Sequence, residues 1–438
     1  MAAGGIALAL ALAVAAAPTA GATADVGGPG ASSSVVVVGA PGLGWDDVTP
    51  TGTPTLWRRA GAGSVGSLSI RATAALTCRQ DGWLSLGAGN RAAGSPHPDT
   101  SCPAGQPVPE PSPTQDGGAV VPGFGALRRG NAALAFDASV GSLGSAVRRD
   151  GRCTGAIGAG AALGVADSDG RVDRYAAELP ADPGPALSRC PLTAVELPQL
   201  LAASASGAGH VAALSALDAD LGLIDAHRAP GSTLLLVGLA EGGAAAAPAR
   251  AAPRLHVALA LGPSPAGRPY DGGWLTAAST RRPPFVQLID VAPTALALLG
   301  LPQPPAEVGQ RWAPAPGRPS ALSAAVSRLV DLDRAATAHR RLVPPFFSIL
   351  VLSQLGLYLM CGLILRTGVR TRRRLAGSQY AALAFAAVPV ATYLANLVPW
   401  WRAGPQLAAL LAAVGLADLA VVLVACAALF CSNLAVER

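Results

Sequence analysis

Three long apolar runs near the carboxyl end constrain this 438-residue chain more than any other feature. Pro344 to Leu365 is almost continuously apolar, about the length a helix needs to cross a bilayer. Arg366, Arg370, Arg372, Arg373 and Arg374 follow at once, and by the positive-inside rule such a block marks a cytoplasmic loop. Ala381 to Trp400 gives a second span, ending in the Trp400-Trp401 pair that suits a membrane interface, and Leu407 to Phe430 gives a third. Buried helices of a soluble core explain three such runs poorly. The reading is therefore a cell-membrane, multi-pass protein: an extracytoplasmic domain over residues 25–340 and a membrane domain of three transmembrane helices over residues 341–438. Asp418 lies inside the third span, where a carboxylate is either functional or a helix-packing group.

At the other end, Ile6 to Ala17 form a short apolar run, followed by Pro18 and Ala22-Thr23-Ala24. Residues 1–24 thus read as a signal peptide or an N-terminal anchor, although no basic residue occurs before Arg58. The net charge of +6 comes from arginine alone, since the chain contains no lysine. Aromatic residues make up only 4% and no basic-aromatic stripe appears, so nucleic acid is not an expected partner. The lipid bilayer is.

Of seven cysteines, Cys361, Cys426 and Cys431 fall in or beside the spans, and Cys78, Cys102, Cys153 and Cys190 fall in the outer domain. An even number in an oxidising compartment suggests two disulfides. Pairing of nearest neighbours is one of three connectivities. Zinc ligation has less support, because no C-x2-C spacing or paired histidines accompany these cysteines.

Within the outer domain, Val35 to Val38 read as a buried central strand, entered through Gly, Pro and Ser and left through Ala40-Pro41-Gly42. Thr53 then caps a helix that starts at Pro54. Val65 to Arg71 is strand-like, and a turn at Thr77-Cys78 leads into a short helix. Residues 92–150, rich in Pro, Gly and Ser, read as a long surface excursion, and Ala156 to Val165 as a strand. Leu214, Leu217, Leu221 and Ile224 recur at helical spacing; Thr233 to Leu239 and Leu255 to Leu261 are further strands. Phe285 to Asp290 leads into a helix at Pro293-Thr294. Alternating strands and helices imply an α/β fold: a mostly parallel sheet with helices on both faces.

Two stretches carry a resemblance: Thr53-Pro54-Thr55-Leu56 after the first strand, and Asp290-Val291-Ala292-Pro293-Thr294 with its continuation to Pro302. On these residues the chain resembles the alkaline phosphatase superfamily over roughly residues 34–315. Its overall layout resembles that of actinobacterial membrane proteins with an exported domain of this type. The resemblance implies two metal ions holding the attacking and leaving oxygens of an in-line displacement. It also implies several Asp and His ligands and a Thr, Ser or modified Cys nucleophile. Position by position, the matching residues depart from that pattern. Pro41-Gly42-Leu43 stands where the first metal-binding aspartate falls, and Ala240-Glu241-Gly242 stands where Asp-His-Gly is the rule. The nucleophile position falls near Thr77-Cys78, without the sulfatase pattern Cys-x-Pro-x-Arg.

The resulting expectation is a non-catalytic binding or scaffold module of the cell envelope, without a cofactor. Its partner would be an anionic envelope glycan, a lipid-linked precursor or a membrane protein. One alternative is a metal-dependent phosphoesterase or sulfatase with a rearranged site, using Thr77 as the catalytic residue and Asp46, Asp47 and Glu241 on a divalent metal. Another is a component of an envelope transport or export complex in which Asp418 matters. Separately, Thr276, Ser279, Thr280, Arg281 and Arg282 combine hydroxyls and guanidiniums as an anion-binding site would.

Overall fold

The computed structural model describes residues 34–98, 101–103, 105–203, 206–242, 253–366 and 372–436. The signal or anchor reading of residues 1–24, and Arg370 of the arginine block, fall outside them. The chain runs β1 (Val35–Gly39), α1 (Pro54–Ala62), β2 (Ser64–Ser69), α2 (Arg79–Ala88), β3 (Ser112–Pro113), β4 (Ala119–Val120), α3 (Phe124–Ala132), α4 (Ser142–Arg149) and β5 (Thr154–Ile157). Next come α5 (Ala159–Val165), β6 (Arg171–Val172), β7 (Arg174–Ala176), α6 (Gly184–Ser188), β8 (Leu192–Glu196), α7 (Gln199–Ala202), α8 (Ala208–His227), β9 (Thr233–Val237) and β10 (Leu255–Leu261). Then β11 (Trp274–Ala277), β12 (Phe285–Gln287), α9 (Val291–Leu298) and β13 (Trp312–Ala315) complete the sheet domain, and α10 (Leu322–Arg366), α11 (Arg372–Ala395) and α12 (Gln406–Val436) follow.

The main sheet has ten strands in the order β13-β11-β2-β10-β9-β1-β8-β5-β7, with β12 beside β2. Strand β1 lies between β8 and β9, parallel to both. Only β10 and β13 run against their neighbours, so the sheet is mixed and mostly parallel. Val35 to Val38 are all fully buried, and successive valines point to opposite faces. Val35 and Val37 pack with Trp83, Leu86, Leu163 and Leu296 of α2, α5 and α9. Val36 and Val38 pack with Leu56 of α1 and with Leu217 and Leu221 of α8. Each buried valine stabilises the fold by about 1.5–3 kcal/mol, which is why an unbroken valine run belongs at the centre of a two-faced sheet. Gly39 ends the strand because a side chain there would collide with Leu239 and Trp83.

Several local expectations change. Thr53 precedes α1 but does not cap it: its hydroxyl donates to the Asp47 carbonyl, and the free amides of Thr55 and Leu56 donate to the Asp218 carboxylate of α8 instead. A carboxylate there satisfies two end amides and meets the positive end of the helix dipole. Residues 92–150 are not a plain excursion, since they contain α3 and α4. Phe124, Leu143 and Val147 are buried, and this tertiary burial outweighs the local abundance of Gly and Pro. The strand expected over Ala156 to Val165 stops at Ile157; Gly158, at φ +94°, turns the chain into α5. A run of Ala and Gly buried on all sides shows neither period, which is why the reading failed there.

Helices α10, α11 and α12 are long and apolar enough to cross a membrane. Leu352, Tyr358 and Leu397 are at least two-thirds exposed, apolar surface of the kind that lipid covers. One helix, α10, joins both parts. Ala325 and Leu329 of its first turns are buried against the second face of the sheet domain, while Asp333 accepts from the Leu255 amide (2.7 Å) and Arg254 Nε (3.1 Å). Further along its first half, His339 packs edge-on against Trp400, and Asp331 pairs with two nitrogens of Arg402.

Candidate functional site

In a parallel α/β sheet, ligands gather beyond the carboxyl ends of the strands. Here β1, β8 and β9 end at Gly39, Glu196 and Val237. Glu196 is 5% exposed and accepts four hydrogen bonds: from Arg79 Nε (2.7 Å) and Nη2 (2.6 Å), Trp83 Nε1 (2.9 Å) and the Gly160 amide (2.9 Å). Gln106 extends the network, accepting from the Arg79 amide and donating to the Glu241 carbonyl. The Glu241 amide in turn donates to the Thr77 carbonyl. Beside it Gly42 and Gly242 touch backbone to backbone; a Cβ on Gly42 would lie 2.7 Å from Gly242 Cα. The strand ends are thus closed by an ion pair and tight packing.

These residues do not fit a two-metal centre. The Pro41 side chain has no donor atom, and the Glu196 carboxylate is already satisfied by four protein donors. Asp46 bonds Arg254 Nη2 (2.7 Å), and Asp47 bonds His210 Nε2 (2.8 Å) and the Gly44 amide. Glu241 accepts from the Arg254 amide and lies 3.4 Å from His256 Nε2. The structure therefore sets Asp46 and Glu241 on one arginine and Asp47 on a different partner, not the three around one point. Burial opposes the Arg254 charge, but Asp46 and Asp333 outweigh it and hold its pKa above the ordinary guanidinium value. Thr77 is 1% exposed; its hydroxyl donates to the Ile70 carbonyl (2.8 Å) and accepts from the Ala72 amide (3.1 Å). As a nucleophile it would have to break both bonds.

The hydroxyls of the Thr276–Arg282 motif also turn inward. Ser279 donates to Asp290 Oδ2 (2.7 Å) and Thr280 to the Phe285 carbonyl (2.6 Å), while Thr276 sits in β11. Arg281 and Arg282 are exposed, the latter over the Phe285 ring. Asp290 also accepts the Gln287 and Gln310 amides, so it pins β12, α9 and the following loop together. Asp418 is half-buried in α12, and its Oδ1 has no hydrogen-bond partner among the described residues.

Cys78 is bridged to Cys102 and Cys153 to Cys190, with Cα separations of 5.5 and 5.2 Å. Next to the first bridge is a feature that sequence reading missed. Asp81, 2% exposed, accepts from the Cys78 amide (2.9 Å) and the Gly94 amide (2.6 Å) and meets His97 Nε2 at 2.7 Å. This pair lines a cleft of about 790 Å3 whose wall is mainly apolar, with Leu127, Leu134 and Phe136 beside polar Asn131. A large cleft with few convergent polar groups is the usual form of a small-molecule site. The Cys78, Asp81 and His97 ligand atoms lie within 4.8 Å of one another, but the Cys78 sulfur is held in its disulfide and is no thiolate donor. Asp81-Gly82 in the first turn of α2 gave no hint of a partner sixteen residues on.

Burial leaves another trace. Glu307 is 5% exposed and accepts from Ser142, and burial pushes its pKa from 4.5 up to about 7, against the pull of Ser142 and Arg149. A folded-state value above the unfolded one favours folding in the protonated form. That contribution is complete below pH 4.5 and is lost as pH rises to about 7. Glu307→Gln is therefore expected to remove about 3 kcal/mol of the pH-dependent loss across this window, read from denaturant midpoints of both proteins at pH 4.5 and 7.5.

The fold and the site together describe a mixed α/β domain carried on membrane-length helices. Among solved structures, the chain is similar to a protein in the alkaline phosphatase superfamily from Vibrio parahaemolyticus, at 12% identity and a TM-score of 0.36 over 64% of this chain and 69% of that one. It is also similar to the PH0037 protein from Pyrococcus horikoshii, at 11% identity and a TM-score of 0.36 over 61% of this chain and 97% of that one. No family model and no curated protein matches the chain.

Proposed function

We propose that this protein is a membrane-anchored binding module of the cell envelope whose sheet domain faces away from the cytoplasm and does not hydrolyse phosphate or sulfate esters. The observation that carries the reading is the closed end of β1, β8 and β9. There Arg79 and Glu196 neutralise each other where a metal-dependent displacement would need free carboxylates. Two disulfides suit an oxidising compartment, and the arginine block after Leu365 suits a cytoplasmic loop. Ligand binding then falls to the cleft beside Asp81 and His97. Its apolar wall and few polar groups fit a lipid-linked or glycan-bearing envelope precursor.

The test is metal analysis and ester hydrolysis on the full-length protein purified with its disulfides intact. Well under one divalent metal per chain is expected, with no turnover of an aryl phosphate or aryl sulfate when manganese, zinc, magnesium or calcium is added. Two tightly held metals per chain, or hydrolysis that disappears in Thr77→Ala, would return the chain to the enzymes.

A further inference from the structure

We propose a second binding site, for the phosphate of an anionic phospholipid headgroup, between Arg71 after β2 and Arg340 on α10. A small pocket of about 60 Å3 lies between the sheet domain and that helix, lined by Ser69, Arg71, Thr77, Glu241, Arg254 and Arg340. It holds roughly four water-sized spheres, room for a phosphate group and not for a sugar or a chain. Three arginines and one glutamate are among its lining residues. Arg254 is already neutralised by Asp46 and Asp333, and Glu241 accepts from the Arg254 amide. Arg71 and Arg340 are different: both are exposed, and neither has a hydrogen bond or ion pair among the described residues. Arg91 adds to the imbalance. Burial, and next the charge of Arg71, hold its pKa below the ordinary guanidinium value, so a like charge stands near Arg71.

The position along α10 says where such an anion comes from. Arg340 stands three residues before Val343, the first large apolar side chain of α10 to be about half exposed, followed by Phe347. Three residues of helix rise about 4.5 Å, less than the depth of one headgroup layer. The neighbouring His339 packs on Trp400, a residue type that sits at headgroup level. The pocket therefore opens at the height of lipid phosphates. Guanidiniums converging from two elements bind phosphate through paired N–H groups, and each arginine near a membrane surface adds to the attraction for anionic lipid. Because Arg340 belongs to the membrane helix and Arg71 to the sheet domain, the bound headgroup would clamp the domain to the bilayer at a fixed tilt. This inference is independent of the cleft ligand, since neither arginine lines the cleft.

The experiment uses the full chain in mild detergent, offered equal phosphatidylglycerol and phosphatidylcholine, with retained lipid measured by native mass spectrometry. The wild type is expected to prefer phosphatidylglycerol by about tenfold. Arg71→Gln/Arg340→Gln should fall to parity, Arg71→Lys/Arg340→Lys should keep part of the preference, and Arg58→Gln/Arg189→Gln, at exposed arginines away from the pocket lining, should keep all of it. Parity in the wild type, or a preference that survives in Arg71→Gln/Arg340→Gln, overturns the site. Inorganic phosphate is the second arm: little displacement at millimolar concentration is expected, and full displacement would show that a free anion is the ligand and overturn the lipid assignment. An intact Cys78–Cys102 bridge and an unchanged melting temperature in the double variants confirm that they fold.

Discussion

Replacing Glu196 with alanine is expected to destabilise the protein by about 3–5 kcal/mol. The carboxylate lies at the end of β8 with its side chain 1% exposed, and it compensates the Arg79 guanidinium, itself only 15% exposed. Removing it strands a buried charge, because Arg79 Nη1 has only a long 3.5 Å contact to the Gln106 carbonyl to fall back on. It also orphans the Trp83 indole N–H and the Gly160 amide, each at about 1–3 kcal/mol. Chemical denaturation of the full chain, followed by tryptophan fluorescence, measures the loss. Arg79→Met/Glu196→Leu separates the two causes. With the charge gone, most of the loss should return, while the two orphaned donors keep the variant below the wild type. A loss under about 1 kcal/mol in Glu196→Ala would mean that water reaches the strand ends and that they are open after all.

The same network shows where sequence reading stops. The Val35–Val38 run announced a central strand because only a two-faced sheet buries four valines in a row, and the structure puts β1 between two parallel neighbours. The three membrane-length runs were equally plain, since length and apolarity are properties of the local sequence. Partners were not legible. Arg79 and Glu196 are separated by 117 residues, and nothing in Leu192-Thr193-Ala194-Val195-Glu196 marks its last residue as the counter-charge for a helix start. The Asp218 cap of α1 is more remote still, 163 residues from Thr55, and it displaced a local Thr53 cap that the sequence favoured. Asp46, Asp47 and Glu241 were visible as acids. Their partners Arg254 and His210 became apparent only in three dimensions. Pro41 and Ala240 were already legible as residues whose side chains lack a donor atom; the contacts made around them were not.

Loss of the Cys78–Cys102 bridge is the other large effect to expect. Its partners are separated by 24 positions, and restricting an unfolded loop of that length is worth about 3 kcal/mol. The Cys153–Cys190 bridge spans 37 positions, and the same relation gives it only a few tenths of a kcal/mol more. Cys78→Ser/Cys102→Ser and Cys153→Ser/Cys190→Ser should therefore lose similar stability in denaturant. They should differ in what else is lost. Cys78 sits at the start of α2, where Asp81 gathers the Cys78 and Gly94 amides and His97, and Gln80 accepts the Ser95 amide. Residues 94–97 form one side of the cleft, and after this bridge is cut the hydrogen bonds to Asp81 and Gln80 still tie them to α2. Limited proteolysis should cleave between 91 and 110 in the Cys78→Ser/Cys102→Ser protein well before any cut appears in the Cys153→Ser/Cys190→Ser protein, under conditions where both remain folded. Equal resistance in the two would mean that the Asp81 contacts alone fix the cleft wall, and the bridge would then act on the unfolded chain only. Early cleavage confined to the first variant would make the disulfide part of the binding site itself, because a ligand of this cleft would then depend on oxidised Cys78 without ever touching the sulfur.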